Sequence, residues 1–442
     1  MTTATAASTS LKPVKITPEE LDAFSAKHPQ GSFQQTSQMA AMGAYSGEID
    51  YVGVKRGGDT GELVAACYVV YTKGRLGLEG SVWCGPLCDY DDPQVVEAMT
   101  EALRRSAKAH HAISVSCWPA AVYQLHDLDG KPTSDPDTAM MENMARFGWR
   151  HGGFTVGYEK VINRWNFIKG LDGIHDEQEL LASFSKYRRK NIRIAQDAGL
   201  TVRRLRRDEL GTFVKLCDMS AARQGFKGRD VAYYERLFDT FGRNIEFNVV
   251  ETHFDEYLKT LETKLAAADK DKRNLERQLE RARAAAENGE APKKKGASDP
   301  ATLEKRIATA DKKIGALKQD ITKVQGIIDS DGPVIPVDAG VYFWHPNEEV
   351  CLSSGEDDRF MGYYPSSLIH FHSMLDCIAR GVTRFNFYGI SGIFDENDPS
   401  YGVWQFKTRF GGFVEELPGK FTLPVDGLRF AAAEAAHKLL HR

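Results

Sequence analysis

From Leu258 to Ile328 apolar residues return at alternating steps of three and four, and very few folds accommodate that pattern. With Leu258 at heptad position a, the a and d positions are Leu258, Leu261, Leu265, Ala268, Lys272, Leu275, Leu279, Ala282 and Ala286. After one break the stripe resumes at Leu303, Ile307, Ala310, Ile314, Leu317, Ile321, Val324 and Ile328. Between the seams almost everything is Lys, Arg, Glu, Asp, Gln, Thr or Ala, so each stretch predicts a solvated helix with one narrow apolar face. The break, residues 288–300, holds two Gly and two Pro, with Ser298 or Asp299 placed to cap the next helix. Two such helices joined by a short breaker predict an antiparallel hairpin arm spanning residues 254–329. At 1.5 Å per residue each helix would be about 40–50 Å long. A parallel coiled coil between two chains is the alternative that the stripe alone leaves open.

On either side of the arm the sequence is that of a globular body. The 442 residues carry a formal net charge of −4, so contact with a polyanion must come from local basic patches. No run of about 18 apolar residues exists, and the N-terminus lacks a basic segment before an apolar one, which predicts a cytoplasmic chain without a membrane span. Seven scattered cysteines fit a reducing compartment. Cys84 and Cys88 have no second pair or His cluster to complete a metal site, and no cofactor is expected.

In chain order, residues 1–12 are predicted to be disordered. Thr17-Pro18-Glu19-Glu20 starts a helix with a capping box. Strands are expected at Tyr51–Lys55, Leu63–Thr72, Arg75–Trp83 and Ala112–Cys117, with a turn at Gly85–Tyr90 and a helix over Pro93–Ala109. Gly157–Phe167 reads as a further strand. A helix over Asp176–Phe184 precedes the basic segment Ser185–Gly199, then strand Leu200–Leu205, helices Arg207–Gln224 and Tyr233–Phe241, and strand Ile245–Glu251. Beyond the arm come strands at Asp338–Trp344 and Val350–Ser354, helix Pro365–Arg380 and strand Phe385–Tyr388. Strands, turn and helix thus occur twice: a first half over 13–156, and a second over 157–253 and 330–427 that the arm interrupts. Residues 428–442 form a C-terminal helix. The fold class is α/β (α+β).

Chemistry concentrates in two stretches. The basic segment holds Lys186, Arg188, Arg189, Lys190 and Arg193 with almost no opposing charge. On a helix Arg189 and Arg193 share a face with Lys186, a pattern suited to phosphate as well as to a solvated surface. The second stretch is Asn386-Phe387-Tyr388-Gly389-Ile390-Ser391-Gly392, then Tyr401-Gly402-Val403-Trp404-Gln405-Phe406-Lys407-Thr408-Arg409-Phe410-Gly411-Gly412. Glycines beside aromatics suggest close backbone approach to a ligand or a Gly-rich strand pair. Lys407 among aromatics offers a fixed positive charge for a developing oxyanion.

Ser185–Gly199, Ala222–Arg229, Asn386–Gly392 and Tyr401–Gly412 together resemble the Fem-type (FemABX) aminoacyl-tRNA-dependent peptidoglycan peptidyltransferases, over most of the chain from Phe33 to Pro424. The resemblance implies two GNAT-like acyltransferase subdomains carrying a helical-hairpin insertion. It also implies transfer of an amino acid from aminoacyl-tRNA to the stem-peptide amine of a cell-wall precursor, UDP-MurNAc-pentapeptide or lipid II. The lipid-linked form would bring peripheral membrane association. By the same likeness Lys407 is the motif lysine near the acyl-transfer centre, with Tyr388, Gly389 and Phe406 beside the substrate. Asp89 and Tyr90 fall where family members line the precursor groove, Asp89 orienting the amine or taking its proton. Arg223, Arg229, Arg188 and Arg189 are the expected phosphate holders. One departure stands out: the family's lysine shortly after a Phe-x-Gln start has no counterpart in Phe33–Met42, and no lysine appears until Lys55.

An aminoacyl ester is already activated, so the protein need supply only positioning and oxyanion stabilisation, with no nucleophilic triad. Lys293, Lys294 and Lys295 at the tip of the arm are candidate tRNA contacts. Two other readings remain open at this point: an acyl-CoA-dependent N-acyltransferase, for which the usual Gly-rich pyrophosphate loop is missing, and a non-catalytic coiled-coil scaffold.

Overall fold

The computed structural model describes residues 10–74, 76–224, 228–287 and 299–440, the side chains of 223, 224 and 437–440 excepted. Its strands are β1 (Leu11–Lys15), β2 (Glu48–Arg56), β3 (Glu62–Lys73), β4 (Leu78–Trp83), β5 (Leu87–Cys88), β6 (Ala112–Trp118), β7 (Gln124–His126), β8 (Arg150–His151), β9 (Trp165–Gly170), β10 (Thr201–Arg204), β11 (Ile245–Glu251), β12 (Pro336–His345), β13 (Glu348–Glu356), β14 (Arg384–Ile390), β15 (Phe413–Glu416) and β16 (Phe421–Pro424). They form two eight-stranded sheets. The first runs β1-β2-β3-β4-β6-β16-β8 with β5 on β3, and the second β10-β11-β12-β13-β14-β9-β15-β7.

Each sheet carries one parallel pair among antiparallel neighbours, β4 with β6 and β13 with β14. A helix crosses over between the members of each pair, as a parallel connection requires. Asp92 caps the first of these helices, Pro93–Ala109, whose Val95, Val96, Met99, Leu103 and Ala107 are buried at helical spacing. The second, Pro365–Arg380, buries Leu368, Ile369, Phe371, Met374 and Cys377 and stops at Gly381, which takes the left-handed conformation. This is the two-half acyltransferase-type architecture that the element order implies.

The halves are less separable than their sequence boundaries suggest. β7, from the first half, pairs with β15 at the edge of the second sheet, while β16, from the far C-terminal region, lies between β6 and β8 in the first. The N-terminal segment joins the two as well. Leu21 and Ala40 pack with Ala66, Tyr68 and Val70 of the first sheet, while Phe33 stacks on Phe343 of the second at 4.1 Å. The Asn347 amide donates to the carbonyls of His28 (2.7 Å) and Gly31 (3.0 Å).

Several local expectations are corrected. Leu11 and Lys12, within the stretch expected to be disordered, pair with Arg56 and Lys55. Only the last part of the expected strand Gly157–Phe167 is a strand, because Gly153 and Gly157 at positive φ break the extended path and residues 152–164 form a loop. Tyr401–Thr408 is a helix, not a strand: Trp404 and Lys407, three apart, share its buried face.

Helices Phe254–Glu287 and Pro300–Asp331 make the arm. Leu261, Ala268 and Leu275 are buried against Leu303, Ile314 and Val324, all of them seam positions. Cross-helix ion pairs fix the direction: Arg283 meets Glu304 at 2.6 Å and Lys272, the charged interruption of the seam, meets Asp311 at 2.6 Å. As one number falls the other rises, so the helices are antiparallel within one chain. The base is rooted in the second half, where Phe254 and Tyr257 pack on Tyr363.

Candidate active site

The parallel pair of the second sheet stays together for two positions only, Glu349 with Phe385 and Val350 with Asn386. Beyond them β14 bulges. Its register on β9 jumps from Asn386–Ile168 to Gly389–Asn166, one residue more on β14 than on its partner. Tyr388 absorbs the irregularity at φ +61°, a left-handed conformation that costs a non-glycine residue energy. Two side chains hold it there. Asn386 Oδ1 accepts from the Tyr388 N–H at 2.7 Å. From helix Tyr401–Thr408, Lys407 Nζ donates to the carbonyls of Phe387 (2.8 Å), Tyr388 (3.3 Å) and Gly389 (2.7 Å). Gly389 must lack a side chain, since a Cβ there would overlap the Asn163 amide.

Where β13 and β14 part, a cavity of about 250 Å³ opens between the halves. Its walls come from the N-terminal segment (Gln30, Phe33, Gln34), from the first half (Cys84, Ala121) and from the second (Asn166, Glu348, Arg384, Asn386, Tyr388, Glu415). Gln34 Nε2 donates to Tyr388 Oη at 3.2 Å, which leaves the phenolic proton free to be given elsewhere. Burial raises the Tyr388 pKa, so the phenol keeps that proton at neutral pH. Arg384 joins two carboxylates, donating to Glu348 at 3.0 Å and to both oxygens of Glu415 at 2.7 and 2.6 Å. Burial works against the Arg384 charge, and the two carboxylates outweigh it. Broader hollows beside Arg104 and beside Arg429 lie on the outer surface of the first half.

The residues expected at the site divide. Tyr388 lines the cavity and Gly389 adjoins it. Lys407 is only 8% exposed and its three protons are committed to three carbonyls, so it holds the Tyr388–Gly389 bulge rather than facing an oxyanion. Burial pushes its pKa down to about 7. Arg188 is 1% exposed, stacked on Phe406 and Phe410 at 4.2 and 3.9 Å, and donates to Ser367 Oγ and to the Phe406 carbonyl. A guanidinium so enclosed cannot reach a phosphate in a groove, and Phe406 is its platform. Arg189 is exposed and donates to the carbonyls of Ala182 and Phe184, closing the end of the preceding helix. Tyr90 is buried in the first core with its hydroxyl on the Pro86 carbonyl, so it does not line a groove. Asp89, next to it, is exposed, its Oδ1 accepting from the Asp91 N–H. It is close enough to His28, beside the cavity rim, to oppose the fall in His28 pKa that burial causes. Arg229 is exposed over Tyr233. The Arg223 side chain and Lys293, Lys294 and Lys295 lie outside the described residues.

Sequence reasoning missed Gln30, Gln34, Asn166, Glu348, Arg384 and Glu415. The one available signal was the Phe33-Gln34-Gln35 start with no lysine behind it. Gln34 reaches Tyr388, and Gln35 Nε2 reaches the Trp83 carbonyl at 2.6 Å, so the two amides bridge the halves. Among the described residues no group of three or more His, Cys, Asp or Glu is arranged to hold a metal ion. The seven cysteines are free thiols.

Fold and cavity together define a two-half acyltransferase with its pocket at the splayed strands of the second sheet. Residues 16–438 match the FemAB family, and the chain belongs to it. It is 29% identical over 347 residues to the aminoacyltransferase FemB of Staphylococcus epidermidis, covering 78% of this chain and 79% of that one. The aminoacyltransferase FemA of Staphylococcus aureus is 24% identical over 436 residues, 98% of this chain and 100% of that one. The crystal structure of FemX superposes with a TM-score of 0.73 at 21% identity, covering 95% of this chain and 99% of that one, which establishes the shared fold.

Proposed function

We propose that this chain is an aminoacyltransferase that moves an amino acid from aminoacyl-tRNA to the stem-peptide amine of a peptidoglycan precursor, building the interpeptide bridge. Family membership over nearly the whole chain carries this reading. The enclosed polar cavity at the splay gives it a place.

The acceptor amine attacks the ester carbonyl, the C–N bond forms, and the tetrahedral intermediate collapses by breaking the C–O bond to the terminal ribose. The amine proton goes to solvent or to a carboxylate at the rim, the role left for Asp89, and the ribose hydroxyl leaves protonated. Tyr388, with Gln34 donating to its oxygen, is the group placed to give a hydrogen bond to the oxyanion. Lys407 acts through Tyr388, by fixing the bulge that presents it. Arg229 and Arg223 are the remaining candidates for precursor phosphates. The acceptor is UDP-MurNAc-pentapeptide or lipid II, and the reaction takes place on the cytoplasmic side where charged tRNA is found. No helix among the described residues is long and apolar enough to cross a membrane, so engagement of lipid II would be peripheral. The arm, closed on itself as a hairpin, is a candidate grip for the tRNA.

Transfer of labelled amino acids from a panel of charged tRNAs to each acceptor tests the reading with purified protein. Transfer to one acceptor from a restricted set of tRNAs is expected. Acylation from acyl-CoA alone, with no tRNA-dependent product, would overturn it. Because the arm's base belongs to the second core, the grip is tested by replacing only residues 269–316 with a short Gly-Ser turn. The KM for charged tRNA should rise about tenfold, a loss of about 1.4 kcal/mol of binding, and an unchanged KM retires the idea.

A further inference from the structure

The cavity is polar in one sense only. Asn166 is 6% exposed and lines it. Its Nδ2 donates to the Asn163 carbonyl at 3.3 Å, which fixes the orientation of the amide, and its Oδ1 has no hydrogen-bond partner. Gln30 Oε1, in the wall of the same cavity, is also buried without a partner. Buried acceptors left unpaired are destabilising, so two of them facing one cavity point to a ligand that donates. The charge agrees. The ionised side chains lining the cavity are Glu348, Arg384 and Glu415, a formal net charge of −1. Arg384 spends its donors on those two carboxylates and offers the ligand none that is unspent. The nearby His345 is neutral, burial having pushed its pKa down to about 4.

A pocket of acceptors with one net negative charge suits an ammonium group. The reaction brings two amines together, and they need opposite treatment. The nucleophile must lose its proton before attack, and a negative cavity would make it hold that proton more tightly. The α-amine of the aminoacyl ester must stay protonated, so that it does not compete as a nucleophile. From this, and resting on the transfer reading above, we propose that the cavity binds the free α-ammonium of the tRNA-borne aminoacyl group. Asn166 Oδ1 and Gln30 Oε1 accept its hydrogen bonds, and the Glu348–Arg384–Glu415 cluster supplies the complementary charge. The site therefore selects donors with an unmodified amino terminus.

The test compares aminoacyl-tRNA with its N-acetylated form as donor to wild-type protein, Asn166→Leu, Gln30→Leu and Gln30→Glu. Loss of hydrogen bonds to a charged group predicts that acetylation lowers wild-type kcat/KM by about 10- to 100-fold. Both leucine variants should raise the KM for charged tRNA, leave the KM for the acceptor unchanged and shrink the acetylation effect, while Gln30→Glu should preserve it. Gln30 lies outside the sheets and helices, so its variants carry the test if Asn166→Leu fails to fold. Equal use of acetylated donors by wild-type protein overturns the proposal. So does a rise confined to the acceptor KM, which would assign the cavity to the other amine. If no charged tRNA supports transfer, the functional reading fails, and calorimetry with 3′-glycylamino-3′-deoxyadenosine and its N-acetyl form decides the cavity separately. Preference for the free amine, lost in Gln30→Leu, sustains the site, and no preference removes it.

Discussion

The two parallel strand pairs answer the same topological problem in opposite ways. In the first sheet β4 and β6 stay in register through six positions, from Leu78–Ala112 to Trp83–Trp118, and the chain beyond closes the end, Gly85 N–H donating to the Trp118 carbonyl at 3.1 Å. In the second, β13 and β14 part after two positions, and the carbonyls released by the bulge turn to Lys407 instead of to a neighbouring strand. Backbone acceptors buried without a partner are costly, so a splayed pair persists only where something else satisfies them. A buried lysine does so here, and the space gained is the cavity. One half of the molecule has kept its sheet closed and the other has opened it for a ligand.

Lys407→Met attacks that difference most directly. Three charge-assisted hydrogen bonds disappear, and transfer should fall by about 10³-fold with a clear drop in melting temperature. Activity within about threefold of wild type would remove the lysine from any role in shaping the site. Tyr388→Phe keeps the bulge and deletes only the phenolic donor, so kcat should drop by about 100-fold with stability little changed. A variant that melts normally and turns over normally would return the search for the oxyanion partner to its start.

A smaller effect separates the open pair from its surroundings by pH. Glu349, at the last closed position before the splay, is fully buried, and burial raises its pKa from 4.5 to about 8, with Ser373 and Cys377 donating to it. It holds a proton in the folded state that the unfolded chain releases. Its stabilising contribution is therefore present below pH 4.5 and is lost as pH rises towards 8. Glu349→Gln should flatten that part of the decline in urea-unfolding stability across this window, and a difference of the opposite sign would show that the carboxylate is ionised in the fold. Smallest of all is the control in the closed sheet. Ser116→Ala removes one hydroxyl contact to Thr422 at 3.2 Å, and it should change kcat/KM less than about twofold, as surface-type substitutions away from a site do.

What was legible in the sequence was whatever depends on local spacing. The seam of the arm, the Thr17 capping box, the Ser185 cap with its Gly199 stop, and the helices at Pro93–Ala109 and Pro365–Arg380 all follow from periods and end signals within a dozen residues. The motif around Tyr388 and Lys407 was visible too, as residues that belong together. Which of them would face a substrate was not. Arg188 and Arg189 are neighbours in one basic run, yet one is sealed between two phenyl rings and the other is in solvent. The phase of that helix against the body decides, and charge composition carries no phase. The cavity walls were further out of reach, because they gather Gln30, Asn166, Glu348 and Glu415 from distant parts of the chain. The sequence by itself determined the elements, the arm and the family. The tertiary structure alone decided which polar groups are paired and which are left waiting in a pocket, since burial and partnership are properties of neighbours brought together only by folding.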